Sequence, residues 1–295
     1  MSDEIDELAP EIPNVAGIAA YEEPEPERTQ TEPEHVQTPE EKAFLAAVAQ
    51  QKAIAAALKN GTLSCLPGPG GYADTEPAVN LATGMRYHGA QLLLLKEFQK
   101  QNGFPTAEYV AMAAVRESGI PIRAGQHGVD ITFNMKNEES GEWEHRTAKL
   151  FNIAQSVKPW DLKNWAAARA EERIQENRDF LKASYGEKYE PQKRQERGPG
   201  PEIACTSTDP EKYIGQYLAA VSLGGKFKVS GEQAAEFGKK FEGKLFRQME
   251  NGHTNPFELT AICNAAGEQC KAVIKEVRTE QRLSQQQQIQ NGRSL

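Results

Sequence analysis

Cysteine is scarce. Cys65, Cys205, Cys263 and Cys270 are the four in 295 residues, too few and too scattered for a disulfide framework. Cys263 and Cys270 stand seven apart, on one face of a helix, and read as reduced, buried thiols; a zinc site joining them to Cys205 and His253 would need an irregular ligand spacing. No HExxH, GxSxG, DxD-type metal pair or GxxxxGK[ST] occurs, which leaves zinc-peptidase, serine-hydrolase and P-loop chemistry without a carrier. The PGPGG at 67–71 lacks the Gly-Lys-Ser/Thr that phosphate cradling requires. No apolar run approaches the ~18 residues that span a bilayer, and the acidic opening MSDEIDELAPEIP lacks a secretory layout. These absences read as a cytoplasmic protein with no membrane partner. Hydrophobic residues make up 38% and mean hydropathy is −0.65, below the roughly 45–50% apolar content of ordinary globular chains, so part of the chain is expected to be disordered.

The net charge of −8 is unevenly spread. Residues 1–38 hold eleven acids against Arg28, about −10, which leaves residues 39–295 near +2. The folded part therefore carries no strong phosphate-attracting field in its totals, and any basic surface comes from local clustering. The Glu- and Pro-rich segment 1–38, with its EPEPE and TEPE fragments, reads as a disordered acidic tail that aids solubility. Mimicry of nucleic acid is the alternative.

Thr38-Pro39-Glu40-Glu41 is a capping box with proline at the first helical position, and predicts a helix over 39–60 ended by Gly61. GAQLLLLKEFQKQNG predicts a second helix ending at Gly103, and AEYVAMAAVRESG a third, capped by Thr106 and ending at Gly119. VDITFNM and EWEHRTAKLFNI alternate at period two around NEESG and predict a β-hairpin over 129–153. A charge-laced helix follows over 161–185. Residues 186–204 read as a linker; 205–285 as a helical unit with starts at Pro210, Ser230 and Asn255-Pro256; and 286–295 as a frayed, low-complexity tail. The fold class expected is α+β: a small antiparallel β-hairpin or sheet packed with helices over 39–185, followed by an all-α C-terminal unit.

The stretch 79–157 carries the densest chemistry. Its polar head offers Asn80, Thr83, Gly84, Arg86, Tyr87, His88, Gly89 and Gln91, and its glycine turn offers Arg123, Gly125, Gln126, His127 and Gly128. Aromatic faces that stack on bases, with cations tracking phosphates, are what a single strand needs. Tyr87 between Arg86 and His88 is the candidate ring. Arg123 among glycines can present its guanidinium with backbone N–H groups nearby. Phe133 and Phe151 lie in strand patterns and read as core.

Asn80-Leu-Ala-Thr83-Gly84-Met-Arg86-Tyr87-His88-Gly89-Ala-Gln91, ahead of an apolar helix, resembles the opening motif N-x-x-T-G-x-x-Y-x-G-x-N of the N-terminal domain of ArdC-type antirestriction proteins, also found at the front of TraC-type plasmid primases. Ile122-Arg-Ala-Gly125-Gln-His-Gly128-Val129 is similar to the family's V-x-x-G-x-x-G turn, and Phe151-Asn152-Ile-Ala-Gln155 to its F-N-x-x-Q strand end. The resemblance covers about 75–158. Gln91 stands for the family's Asn, the neutral Gln126-His127 for charged turn residues, and Pro105 for the aromatic or hydrophobic residue before Thr106. The family's HExxH half and any primase-like half are absent.

The resemblance implies sequence-tolerant binding of single-stranded DNA in proteins of conjugative plasmids and integrated elements. The candidate binding residues are Asn80, Thr83, Arg86, Tyr87, His88, Gln91, Arg123, Gly125, His127, Asn152 and Gln155. The leading expectation is a non-enzymatic, single-stranded-DNA-binding accessory protein of a mobile element, with no cofactor, no metal, and a protein partner engaged through 205–285 or the acidic tail. One rival is a protein-interaction module that inhibits or recruits a host or conjugation component, with DNA binding lost. The other is a metal enzyme built on His88, His127 and His145, which no carboxylate at ligand spacing supports.

Overall fold

The polar head at 79–88 folds back on itself as a two-residue-per-arm hairpin at the rim of a five-stranded sheet. The computed structural model describes residues 38–136, 141, 143–185, 200–247, 255 and 257–292. The acidic tail up to residue 37, the linker at 186–199 and residues 293–295 lie outside these.

In chain order the elements are α1 (Pro39–Lys59), β1 (Val79–Asn80), β2 (Met85–Arg86), α2 (Gly89–Gln101), β3 (Glu108–Ala111), α3 (Met112–Ser118), β4 (Val129–Lys136), β5 (Trp143–Asn152), a 3-10 turn (Ile153–Gln155), α4 (Pro159–Tyr185), β6 (Glu202–Ala204), α5 (Pro210–Leu223), β7 (Lys226–Lys228), α6 (Gly231–Leu245) and α7 (Glu258–Gly292). The class is α+β, as the patterning predicts. The α1 capping box forms as read, with Thr38 N–H donating to Glu41 at 2.8 Å and Glu41 N–H to the Thr38 hydroxyl at 3.2 Å.

The sheet order is β2-β1-β3-β5-β4, antiparallel except for the parallel β1–β3 pair. The β4–β5 hairpin sits where the period-two alternation puts it. The segment at 107–118 differs from its reading as one helix: Glu108–Ala111 is a strand, and only Met112–Ser118 is helical. Four residues with an aromatic and a valine are too short for periodicity to separate strand from helix, and pairing with β1 and β5 wins. At the C-terminus, α7 runs through the glutamine tract to Gly292, since glutamine is a good helix former. Among the described residues no helix is long and apolar enough to cross a membrane.

One face of the sheet packs on the larger core and the other on a smaller cluster. In β3, Tyr109 belongs to the larger core and Val110 to the smaller; in β5, Leu150 and Phe151 divide the same way. The larger core takes Ile54 from α1, Leu92–Leu95 from α2, Tyr213 and Tyr217 from α5, Phe237 and Phe241 from α6, and Ala266 from α7. Helices on both sides of the 186–204 stretch therefore share one buried body, which is largely apolar contact worth ~1.5–3 kcal/mol per fully buried large side chain. Tyr213 stacks on Phe237 at 3.9 Å, and its hydroxyl donates to the Cys65 carbonyl at 2.9 Å. The Tyr217 hydroxyl donates to the Asp74 carbonyl, also at 2.9 Å. The helical C-terminal portion contains one short parallel pair, β6–β7.

That pair begins at a backbone contact that only glycine permits. A Cβ on Gly225 would lie 2.1 Å from the Pro201 carbonyl oxygen, and one on Gly200 would lie 2.4 Å from the Gly224 carbonyl. Gly225→Ala is expected to destabilise the chain by about 1–3 kcal/mol through overpacking. A lowered denaturant midpoint at unchanged slope is the expected reading.

Candidate nucleic-acid interface

The first motif is a turn-builder. The Asn80 side-chain oxygen accepts from Ala82 N–H at 3.1 Å, Gly84 N–H donates to the Asn80 carbonyl at 2.8 Å, and the Thr83 hydroxyl accepts from Met85 N–H at 3.3 Å. Gly84 closes the reversal at φ +67°, a conformation that favours glycine. The result holds β2 out to solvent, with Arg86 exposed and Met85 69% exposed.

Tyr87 behaves differently from its reading as a stacking ring. It packs against the larger core, and its buried hydroxyl makes no hydrogen bond of normal geometry. Burial pushes its pKa up to about 12, with the Asn80 amide pulling it down. A partly buried ring packed on the core offers less face to a base than a free one, and its backbone is fixed as well: Tyr87 N–H donates to the Ala78 carbonyl at 2.9 Å. His88 follows as the N-cap of α2 and makes no side-chain cap. Burial, then the positive charge of Arg86, hold its pKa below the usual histidine value. Gln91 donates to the Thr132 carbonyl at 2.9 Å and so ties α2 to β4.

The F-N-x-x-Q end of β5 is a second capping box. Asn152 and Gln155 are buried. The Asn152 side chain accepts from Ala154 N–H at 3.0 Å and donates to the Thr106 carbonyl at 2.7 Å. Gln155 accepts from Asn152 N–H at 2.8 Å and donates to the His127 carbonyl at 2.8 Å. Arg123 N–H donates to the Gln155 carbonyl at 2.9 Å, and Val157 N–H to the Pro121 carbonyl at 3.1 Å. The basic glycine turn is thus clamped to the chain that leaves β5. Gly125 adopts φ +77° within it, and Gly128 passes so close to β5 that a Cβ would lie 2.5 Å from the Leu150 carbonyl oxygen. Arg123 also donates from its guanidinium to the Ala154 carbonyl while its side chain stays exposed, as do Gln126 and His127.

Both motif loops border the smaller cluster. Leu81 and Ala82 come from the first, Ile122 from the second, and Leu162 and Trp165 from α4. The chain emerging there carries exposed Val157, Lys158 and Trp160, and Trp160 is 75% exposed, the most open large hydrophobic side chain among the described residues. Lys158 meets Asp161 only at 3.8 Å, with both side chains well exposed, and such pairs are worth about 0–1 kcal/mol. The cation stays available to an anion. Sequence reasoning passed over Trp160 because it stands outside the quoted motifs. The signal was present: a tryptophan in K-P-W, at the first helical position after Pro159, is off the apolar stripe made by Leu162, Trp165 and Ala166.

Residues 47–186 match the family model described as the N-terminal domain of anti-restriction factor ArdC. This segment carries the ArdC N-terminal domain. Among curated proteins none matches the sequence. Two solved structures of the antirestriction ArdC protein from plasmid R388 are similar to the chain. The metal-free form is 11% identical, covering 76% of this chain and 95% of its own, at a TM-score of 0.43. The Mn(II)-bound form is 13% identical, covering 78% and 97%, at a TM-score of 0.48.

Where the ArdC N-terminal domain meets α5 and α7 lies a half-open cavity of about 720 Å³. His88 and Gln91 from the first motif line it beside Phe133, Phe257, Asn264 and Cys270. The ArdC signature therefore faces two places: a solvent-exposed rim around Arg123 and Trp160, and this cavity. Among the described residues no group of three or more His, Cys, Asp and Glu side chains is placed to hold a metal ion. The side chain of His145 lies outside the described residues.

Proposed function

We propose that the protein binds single-stranded DNA with little sequence preference and without acting on it chemically, as an antirestriction accessory protein of a conjugative plasmid or integrated element. The strand runs over the rim formed by the Arg123 turn and the Val157–Trp160 segment. What supports this reading is the 75% exposed indole of Trp160 beside exposed Lys158, on chain clamped to the Arg123 turn. An exposed indole has no packing reason to be there, while base stacking on such a ring is worth roughly 1–3 kcal/mol. Arg123 and Lys158 supply the phosphate contacts, and exposed Arg86 on β2 extends them.

Fluorescence polarisation with a labelled single-stranded oligonucleotide at several salt concentrations tests this. Three phosphates neutralised at ~0.7 each predict a log–log salt slope of about −2. The oligonucleotide is expected to be recovered intact. Failure to bind even at low ionic strength would overturn the proposal.

A further inference from the structure

The cavity between α1, α2, β4, α5 and α7 has a chemistry that the rim does not share. Among the described residues only two formal charges line it, Lys271 and Glu268, and they satisfy each other at 2.7 Å. His88, the remaining titratable nitrogen base at the wall, has its pKa held below the usual histidine value by partial burial and then by Arg86. A charged guest would give up hydration and gain no opposite charge in return. The walls still ask for hydrogen bonds. The Asn264 carboxamide and the His88 imidazole make none to the described residues. Gln91 spends its NH2 group on the Thr132 carbonyl, which leaves its oxygen as an acceptor. A purely apolar guest would cover these groups and replace none of their water. Phe133 and Phe257 add flat apolar surface, and about 720 Å³ falls within the ~300–1,000 Å³ of small-molecule sites.

We infer that this cavity is a binding site for a neutral nitrogen heterocycle with both donors and acceptors on its edge, a nucleobase carried as a nucleoside or as one unit of a single strand. Asn264 reads the heterocycle edge, Gln91 and His88 complete the hydrogen bonding, and Phe133 and Phe257 border it with apolar surface. Only the second source, a base delivered by a bound strand, rests on the single-strand reading above; binding of a free nucleoside does not.

The test uses the full chain and the four free deoxynucleosides, with saturable binding read by calorimetry and by ligand-observed NMR. Gly267 makes the discriminating variant: it lines the cavity within α7, and a Cβ there meets nothing within 4 Å. Gly267→Leu projects apolar bulk from a Cβ position that meets nothing, and it favours the helix. At least one nucleoside is expected to bind the natural chain, with affinity reduced more than about tenfold in Gly267→Leu and severalfold in Asn264→Ala, given the usual worth of one hydrogen bond. Absence of saturable binding for all four, or equal binding by Gly267→Leu, overturns the inference. If oligonucleotides still bind through Trp160 in that case, the rim reading survives and the cavity alone is dismissed. If nucleosides bind and oligonucleotides do not, the cavity stands and the rim reading falls.

Discussion

Trp160→Ala will weaken single-stranded DNA binding by roughly 5- to 150-fold, the factor that corresponds to the ~1–3 kcal/mol of one stacked base. The melting temperature should stay unchanged, since a side chain 75% exposed contributes little to packing. Tyr87→Phe is the contrasting variant. The Tyr87 ring packs against the larger core and its buried hydroxyl makes no hydrogen bond of normal geometry, so removing the hydroxyl should leave affinity unchanged and stability little changed. Polarisation titrations of the two variants side by side, with thermal melts, check both statements. A Tyr87→Phe variant that loses affinity while Trp160→Ala keeps it would return the stacking role to the first motif.

Asn152→Ala and Gln155→Ala will each destabilise the fold by ~1–3 kcal/mol, because each removes two hydrogen bonds made by a buried amide, at about 0.5–1.5 kcal/mol apiece. Loss of Gln155 strands the His127 carbonyl and the Asn152 N–H; loss of Asn152 strands the Thr106 carbonyl and the Ala154 N–H. The family resemblance offers these two residues as binding candidates, yet both are buried. Their effect on DNA should therefore run through the Arg123 turn they hold. Chemical denaturation separates the two roles. A direct contact would lower affinity and leave the midpoint in place, whereas a clamp lowers the midpoint first, and affinity only as the turn loosens.

The motifs were legible as motifs long before their work was. Asn80, Thr83 and Gly84 look like ligand-binding polar residues in a glycine-punctuated head, but their hydrogen bonds go to their own backbone. Local side-chain-to-backbone bonds of this kind compete with every outward role a short polar residue could play, and sequence carries no mark of which wins. Gln91 is similar: an amide at the start of an apolar helix could face solvent, and its partner, the Thr132 carbonyl, lies 41 residues away. Arg123 is the case where reading and placement agree, since a long charged side chain in a glycine turn has nowhere apolar to go and stays exposed.

Strong local signals spoke for themselves. The Thr38 capping box, the period-two hairpin around residue 140, the helix starts at Pro210 and Ser230, and the order of the three ArdC-type motifs all depend on residues within a few positions of one another. What separates local from non-local is the range of the forces. Capping, turn chemistry and amphipathic period act over one or two turns of chain and leave their imprint in composition. The short strand at 108–111, the partial burial of Tyr87, the freeing of Trp160 and the larger core shared by helices before residue 186 and after residue 204 come from packing between segments tens to more than a hundred residues apart. Tyr213, for instance, is held by the Cys65 carbonyl 148 residues before it. Such contacts are chosen by shape and by which apolar surfaces remain to be covered once the local pieces exist, and that choice appears first in the folded molecule.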